Sequence, residues 1–321
     1  MIMPKKARVL LLLFCASMAL SCAGTAASAQ EYYSIGMAYF ELGKFEEAEK
    51  WLNRAKQADR TMVASQYNLG RLAFERHRYD EAARHFEDIL KRDPDNVLAL
   101  KAAAYTRIMT GDISAAERHY SRLLEIVPES ADDGYNHALV LYAMGRYSAA
   151  EEVLERYRLS MEENKNTLLL YARIQSAQNK VEAIDSYANY LGGDPNPAVR
   201  YEYAKVLEYH ELYARALEEY RTAMADAEIT AVNPSRADIR FAIGRVLLIA
   251  DGGSSEGITE IRTAVNEGFS DITLVEELLN RRRISAANME SLRNIYNNMR
   301  LAAPAEQQQS ETEEDETWLY Q

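Results

Sequence analysis

Histidine, cysteine and paired carboxylates are the residue types here that could carry covalent, acid–base or metal chemistry, and their spacing does not assemble them. The histidines are His77, His85, His119, His137 and His210, scattered along the chain. His77 and His85 lie eight apart, and a turn expected between their helices keeps them off one shared face. Cys15 and Cys22 are the only cysteines and both sit near the N-terminus, so the body has neither a disulfide framework nor a thiol nucleophile. Glu46-Glu47, Glu151-Glu152 and Glu218-Glu219 recur at matching places in a longer pattern and read as helix-surface acids, not as a general acid–base pair. Gly252-Gly253-Ser254-Ser255 is glycine-rich but lacks the lysine of a phosphate loop. Neither H-E-x-x-H nor G-x-S-x-G occurs. No catalysis, metal or cofactor is expected, and the chemistry left to the chain is recognition.

The elements that would position a recognition surface are helical. Among 321 residues there are 14 Gly and 7 Pro, with 48% hydrophobic and 27% charged residues, which suits a soluble helical protein and excludes global disorder. Net charge is −12, and no basic stripe reverses it locally, so nucleic acid is not expected as a partner. Lys5, Lys6 and Arg8 precede the apolar run Val9 to Leu20, which is short for a bilayer span and reads as an export signal. Two endings stay open. Ala27-Ser28-Ala29 before Gln30 fits ordinary cleavage of a 1–29 signal, whereas Ala19-Leu20-Ser21-Cys22 resembles a lipobox, giving a 1–21 signal and lipidation at Cys22.

The body repeats itself. Alanines recur at Ala48, Ala82, Ala116, Ala150, Ala183 and Ala216, with spacings of 34, 34, 34, 33 and 33. A second ladder of small residues runs Gly36, Gly70, Ala104, Ala138, Ala172, Ala204 and Gly244. Prolines Pro94, Pro128 and Pro195 mark turns between units. Small residues let two helices of a hairpin approach closely, while Leu52, Phe86, Tyr120, Leu154, Tyr187 and Tyr220 would fill the space between hairpins. The fifth unit lacks a turn glycine, and the seventh carries the insertion Asp251 to Ser255 with Gly257 in place of the alanine.

Tyr67-Asn68-Leu69-Gly70, Tyr79-Asp80-Glu81-Ala82, Phe86 and Asp93-Pro94 resemble the tetratricopeptide-repeat (TPR) signature in order. Ile35-Gly36, Gly43 and Phe45-Glu46-Glu47-Ala48 resemble it too, as do Gly145, Tyr147 and Ala150. The resemblance implies an all-α, right-handed solenoid of about seven helical hairpins over residues 30–268. Ile272 to Leu279 and Ser285 to Leu301 read as C-terminal capping helices within 269–301, followed by a disordered acidic tail, 302–321, that ends Trp318-Leu319-Tyr320.

The resemblance also implies that the first helix of each hairpin lines a concave face that binds polypeptides. Three residues before the small ladder stand Tyr33, Tyr67, Lys101, Tyr135, Tyr201 and Phe241, and four after it Phe40, Phe74, Ile108 and Tyr142. These form an aromatic wall suited to recognition, although such tyrosines are also what an average repeat carries. Immediately after the small ladder, Arg71, Tyr105, Lys205 and Arg245 complete the candidate set, with Arg173 as a further cation. The cations suit an acidic ligand or pair with Glu75 and Glu208. Met37 and Arg71 stand where a carboxylate-clamp sub-type needs asparagines, so that sub-type is not expected. The expected function is a scaffold in the cell envelope, periplasmic or tethered by lipid, that binds other proteins or peptides. The competing reading is an accessory subunit of a solute-uptake system that docks a substrate-binding protein.

Overall fold

The computed structural model describes residues 28–161, 165–193, 196–225, 234–281 and 283–302. Residues 1–27 of the expected leader, with Cys15 and Cys22, as well as Pro195 and the acidic tail after Ala302, lie outside these residues. The chain divides into two compact units, Met1–Met161 and Glu162–Gln321. Sixteen helices and no strand occur among the described residues.

The N-terminal unit holds α1 (Ala29–Glu41), α2 (Phe45–Ala58), α3 (Val63–Glu75), α4 (Tyr79–Leu90), α5 (Val97–Met109), α6 (Ile113–Ile126), α7 (Ala131–Ala143) and α8 (Tyr147–Met161). The C-terminal unit holds α9 (Lys165–Ala177), α10 (Ala183–Gly193), α11 (Pro197–Tyr209), α12 (Tyr213–Ala225), α13 (Arg236–Ala250), α14 (Ser255–Asn266), α15 (Ile272–Leu279) and α16 (Ala286–Ala302). Each odd helix through α13 packs on the even helix that follows it, and within each unit successive hairpins stack.

The two small-residue ladders are where the hairpins close. Ala48, Ala82, Ala116, Ala150, Ala183 and Ala216 are all fully buried. A Cβ on Gly70 would stand 2.6 Å from Cε1 of Phe86, so only glycine lets α3 lie this close to α4. The seventh hairpin meets the same demand with two glycines. A Cβ on Gly244 would fall 2.7 Å from the carbonyl oxygen of Gly257, and one on Gly257 would fall 2.9 Å from Cγ of Leu248. The missing alanine of that unit is thus a closer backbone approach, not a lost repeat.

Hairpin turns use a left-handed residue. Gly43, Gly111 and Gly145 have φ of 69, 78 and 71°, and His77, Asn179 and Glu211 occupy the equivalent turns at 57, 58 and 60°. At Gly43 the next amide, Lys44, bonds back to the Tyr39 carbonyl at 2.9 Å, and Arg78 bonds to Ala73 in the same way at 2.8 Å. The fifth hairpin therefore turns without glycine, because Asn179 tolerates the left-handed conformation.

Leu52, Phe86, Tyr120, Leu154, Tyr187 and Tyr220 are each at most 2% exposed and fill the gaps expected of them. The C-terminal unit ends on a core of Phe241, Leu248, Ile261, Phe269, Val275 and Leu292. There α15 and α16 pack as the capping helices, and Asn288 ties α16 to the insertion by donating to the carbonyls of Gly252 and Ser254 at 2.9 and 3.1 Å. Ser285 caps α16, accepting from the Asn288 amide at 3.3 Å.

Candidate functional site

In the N-terminal unit the aromatic positions of the odd helices first close their own hairpins. Phe40 meets Phe45 at 5.9 Å between ring centroids, Phe74 meets Tyr79 at 5.1 Å, and Tyr142 meets Tyr147 at 5.5 Å. Each pair joins the end of one helix to the start of the next. Tyr67 packs on Phe86 at 5.5 Å, and Tyr135 packs with Leu124 and Tyr157. Tyr33 accepts a 3.0 Å bond from Asn68 and so links the first hairpin to the second. These rings are half-buried, and Ile108 is half-buried against Leu100 and Tyr120. The expected wall is therefore largely the inside of the hairpins.

The position just after the small ladder faces outward at Arg71, Tyr105 and Leu139, whereas Met37 packs on the core of the first hairpin. Tyr105 is 51% exposed and Leu139 41%, and Met109, one turn beyond Tyr105, is 43% exposed. Beside them a cleft of about 160 Å³ opens between α3 and α5, lined by Arg71, Phe74, Glu75, Phe86, Ala102, Tyr105 and Thr106. Arg71 is exposed but held in place. It donates to Oδ1 of Asn68 at 3.0 Å, and its guanidinium lies 5.0 Å from the Phe40 ring centroid. Asn68 is buried and bonds to Tyr33 and the Ala64 carbonyl, so a chain of contacts across two hairpins fixes Arg71. Lys101 is spoken for, with its Nζ 2.9 and 3.2 Å from the two oxygens of buried Asp133.

The C-terminal unit corrects one expectation, at Phe241, and decides between two at Arg245. Phe241 is 1% exposed and stacks on Phe269 at 4.0 Å with an interplanar angle of 6°, so it belongs to the core and lines no face. The cause is the docking of the capping region, which brings Phe269 over a position that is only half-buried at Tyr33, Tyr67, Tyr135 and Tyr201 in earlier hairpins. Arg245 is not a free cation. Its Nε and Nη2 donate to both oxygens of Glu208 at 2.8 and 2.7 Å, and the Tyr220 hydroxyl adds a third bond to Glu208 at 3.0 Å. Burial opposes the Arg245 charge, but the Glu208 carboxylate outweighs it and raises the guanidinium pKa above its ordinary value. Tyr220 is pushed up by burial and by the same carboxylate, and burial likewise raises Tyr201, which packs on Tyr220 at 5.4 Å. Arg173 is held bidentately by Glu202 at 2.8 and 2.7 Å. Lys205 stays exposed, with its Nζ 5.9 Å from the Tyr201 ring.

Lys205 and Arg245 do come together around a polar cleft of about 360 Å³, with Glu208, Tyr209, Glu211, Tyr213, Ile249, Glu277 and Arg281. Acids and bases are equal in number there, so it has no net charge to offer an acidic ligand. Met109, Tyr209 and Ile249 were not anticipated, and Glu75 only as a partner for a cation. All four stand five residues beyond the small ladder, one helical turn past the outward position, and that spacing would have found them. No cluster able to hold a metal ion and no helix long and apolar enough to cross a membrane occurs among the described residues.

Two models described as tetratricopeptide repeat match residues 67–131 and 25–95, and one described as anaphase-promoting complex, cyclosome, subunit 3 matches 109–190. A TPR protein structure from Parabacteroides merdae aligns over 82% of this chain and 98% of its own, with a TM-score of 0.53 and 18% identity. The mouse N-alpha-acetyltransferase 16, NatA auxiliary subunit, is 25% identical over 44% of this chain, which spans only 16% of the mouse protein. An uncharacterized lipoprotein of Treponema pallidum is 24% identical over 48% of this chain and 78% of its own.

Proposed function

Since the chain is a tetratricopeptide-repeat protein, we propose that it is a non-catalytic scaffold that holds segments of other proteins on the outward strip of its N-terminal unit. The observation that carries this reading is the exposure of the apolar side chains Tyr105, Met109 and Leu139 on α5 and α7, together with the cleft that Tyr105 lines. An apolar strip with a polar surround marks an interaction surface, and a tyrosine at its centre contributes area with little entropy loss. In the C-terminal unit Arg173 and Arg245 at the corresponding position are tied to carboxylates, which supports a structural role for those two cations.

We place the scaffold in the cell envelope. Support comes from the basic and apolar order of Lys5 to Leu20 and from the similarity to a spirochaete lipoprotein. Mass spectrometry of the mature N-terminus tests it: a free Gln30 means cleavage alone, an acylated Cys22 means a membrane tether, and an intact Met1 overturns the placement.

For the interaction itself, a photocrosslinking side chain at Tyr105 in living cells should capture a defined partner, while the same group at Val181, 58% exposed on the other unit, should not. Equal capture at both sites would rule out a dedicated face.

A further inference from the structure

We propose that the cleft between α3 and α5 is an anchor site for one aromatic side chain of an extended partner segment, with that residue's backbone held between Arg71 and Glu75. The proposal rests on the scaffold reading and names the chemistry the scaffold selects.

Size comes first. The cleft measures about 160 Å³, and an apolar cavity of about 150 Å³ is known to accept benzene. One ring fits, whereas two do not.

The walls favour a ring over an aliphatic chain. Phe74 and Tyr105 converge with centroids 5.5 Å apart, and buried Phe86 lies at the base with Ala102 and Thr106. The Thr106 hydroxyl already donates to the Ala102 carbonyl at 2.7 Å, so the base asks for no polar partner. A guest ring gains edge-to-face contacts here beyond simple burial.

The rim decides the charge of the guest. Arg71 and Glu75 are four residues apart on α3, hence on one face. Both are exposed, and Glu75 has no ion-pair partner among the described residues. A guanidinium offers further donors beyond the one given to Asn68, and a carboxylate offers acceptors. Together they match the C=O and N–H of a single peptide unit through charge-assisted bonds. A guest of net charge would gain from one and be repelled by the other. The earlier expectation of an acidic ligand is thereby replaced by a neutral, aromatic one. Outside the cleft, Met109 and Leu139 are exposed apolar side chains that the flanking residues of the segment can cover.

The probes are N-acetyl-phenylalaninamide and N-acetyl-alaninamide, titrated into the 15N-labelled chain and followed by amide shifts. Shifts should centre on α3 and α5, with the phenylalanine amide bound about tenfold or more tighter than the alanine amide. Its affinity should change less than about twofold between low and high salt, because neither probe is charged. Ala102→Phe fills the cleft from a partly exposed position and should abolish the shifts with far-UV circular dichroism unchanged. Arg71→Gln and Glu75→Gln should each weaken binding about threefold or more.

Equal binding of the two amides, shifts elsewhere, or binding that survives Ala102→Phe each overturn the anchor. Binding that appears only after removal of residues 303–321 overturns it in favour of self-occupancy by Trp318 or Tyr320. A crosslinked partner at Tyr105 that persists in Ala102→Phe sinks the anchor and leaves the scaffold standing. Failure to capture any partner at Tyr105 in the parent chain sinks the scaffold itself.

Discussion

Replacing Arg245 by methionine separates a structural cation from a ligand-binding one. Arg245 and Glu208 are 17% and 12% exposed in their side chains and share two hydrogen bonds, and Tyr220 supplies a third to the carboxylate. Methionine keeps the packing of the stem and removes the charge, leaving Glu208 buried with the phenol alone. Breaking a buried pair from one side costs about 3–5 kcal/mol. The surviving Tyr220 bond, worth about 1.5 kcal/mol or more to a charged acceptor, places the expectation near the lower end. A loss of about 3 kcal/mol lowers the melting temperature by roughly 6–12 °C in a chain region of this size. Adding Glu208→Gln removes the stranded charge and keeps an acceptor for Tyr220, so the double variant should recover about half of the loss, about 1.5 kcal/mol. Calorimetric melts of the parent, both single variants and the double variant read this directly. Lys205→Met is the control, because Lys205 is exposed and only passes near the Tyr201 ring, and a substitution of that kind shifts stability by about 0.5 kcal/mol or less. If Arg245→Met melts with the parent, or the double variant is no better than the single, the pair is not a buried structural element. Arg245 then returns to the face as a cation open to ligand.

Three other outcomes follow from the same geometry. Gly70→Ala should cost about 1–3 kcal/mol in urea titrations, because its Cβ would meet the buried Phe86 ring at 2.6 Å. Gly43→Ala, with open space around its Cβ but φ of 69°, should cost about 1 kcal/mol, and an inverted order would remove the close-approach argument. His85, His119 and His137 are all held below the ordinary histidine pKa, in each case chiefly by burial. The unfolded chain therefore takes up protons first, so stability that is complete above about pH 6.5 is lost as the pH falls below it. Urea midpoints should drop between about pH 7.5 and pH 5.5, and His137→Gln should reduce that drop. Asn288→Ala unties α16 from the Gly252 and Ser254 carbonyls and should cost about 1–3 kcal/mol, read as faster amide exchange in α16 and in the 251–255 loop.

The fold was legible because helix-on-helix contact at short range demands particular residue types. The alanine ladder from Ala48 to Ala216 could be seen in the sequence and is fully buried in the structure, for a single reason: nothing larger fits between the two helices of a hairpin. Two helices after Phe269 were also visible, with Ser285 at the start of the second, since start signals are local. The fifth hairpin was harder, because its turn is made by Asn179, and a left-handed asparagine leaves a weaker mark than glycine.

The binding face was legible only in part. Counting along a helix says which residues share a side, and in the structure Arg71, Phe74 and Tyr105 line one cleft. It could not say which side chains other elements would cover. Phe241 and Tyr201 occupy equivalent places in successive hairpins, yet Phe269, 28 residues further on, buries the first under the capping region. Arg71 and Arg245 likewise share a register. Arg71 is held by its own helix and a ring of the preceding hairpin, whereas Arg245 is neutralised by Glu208, 37 residues away. What the sequence determined by itself is the hairpin, its period and its close-packed seam, because those depend on side-chain size at fixed short spacing. What only the tertiary structure decided is which ladder residues reach solvent and which charges remain open, because both depend on neighbours that arrive from distant turns of the chain.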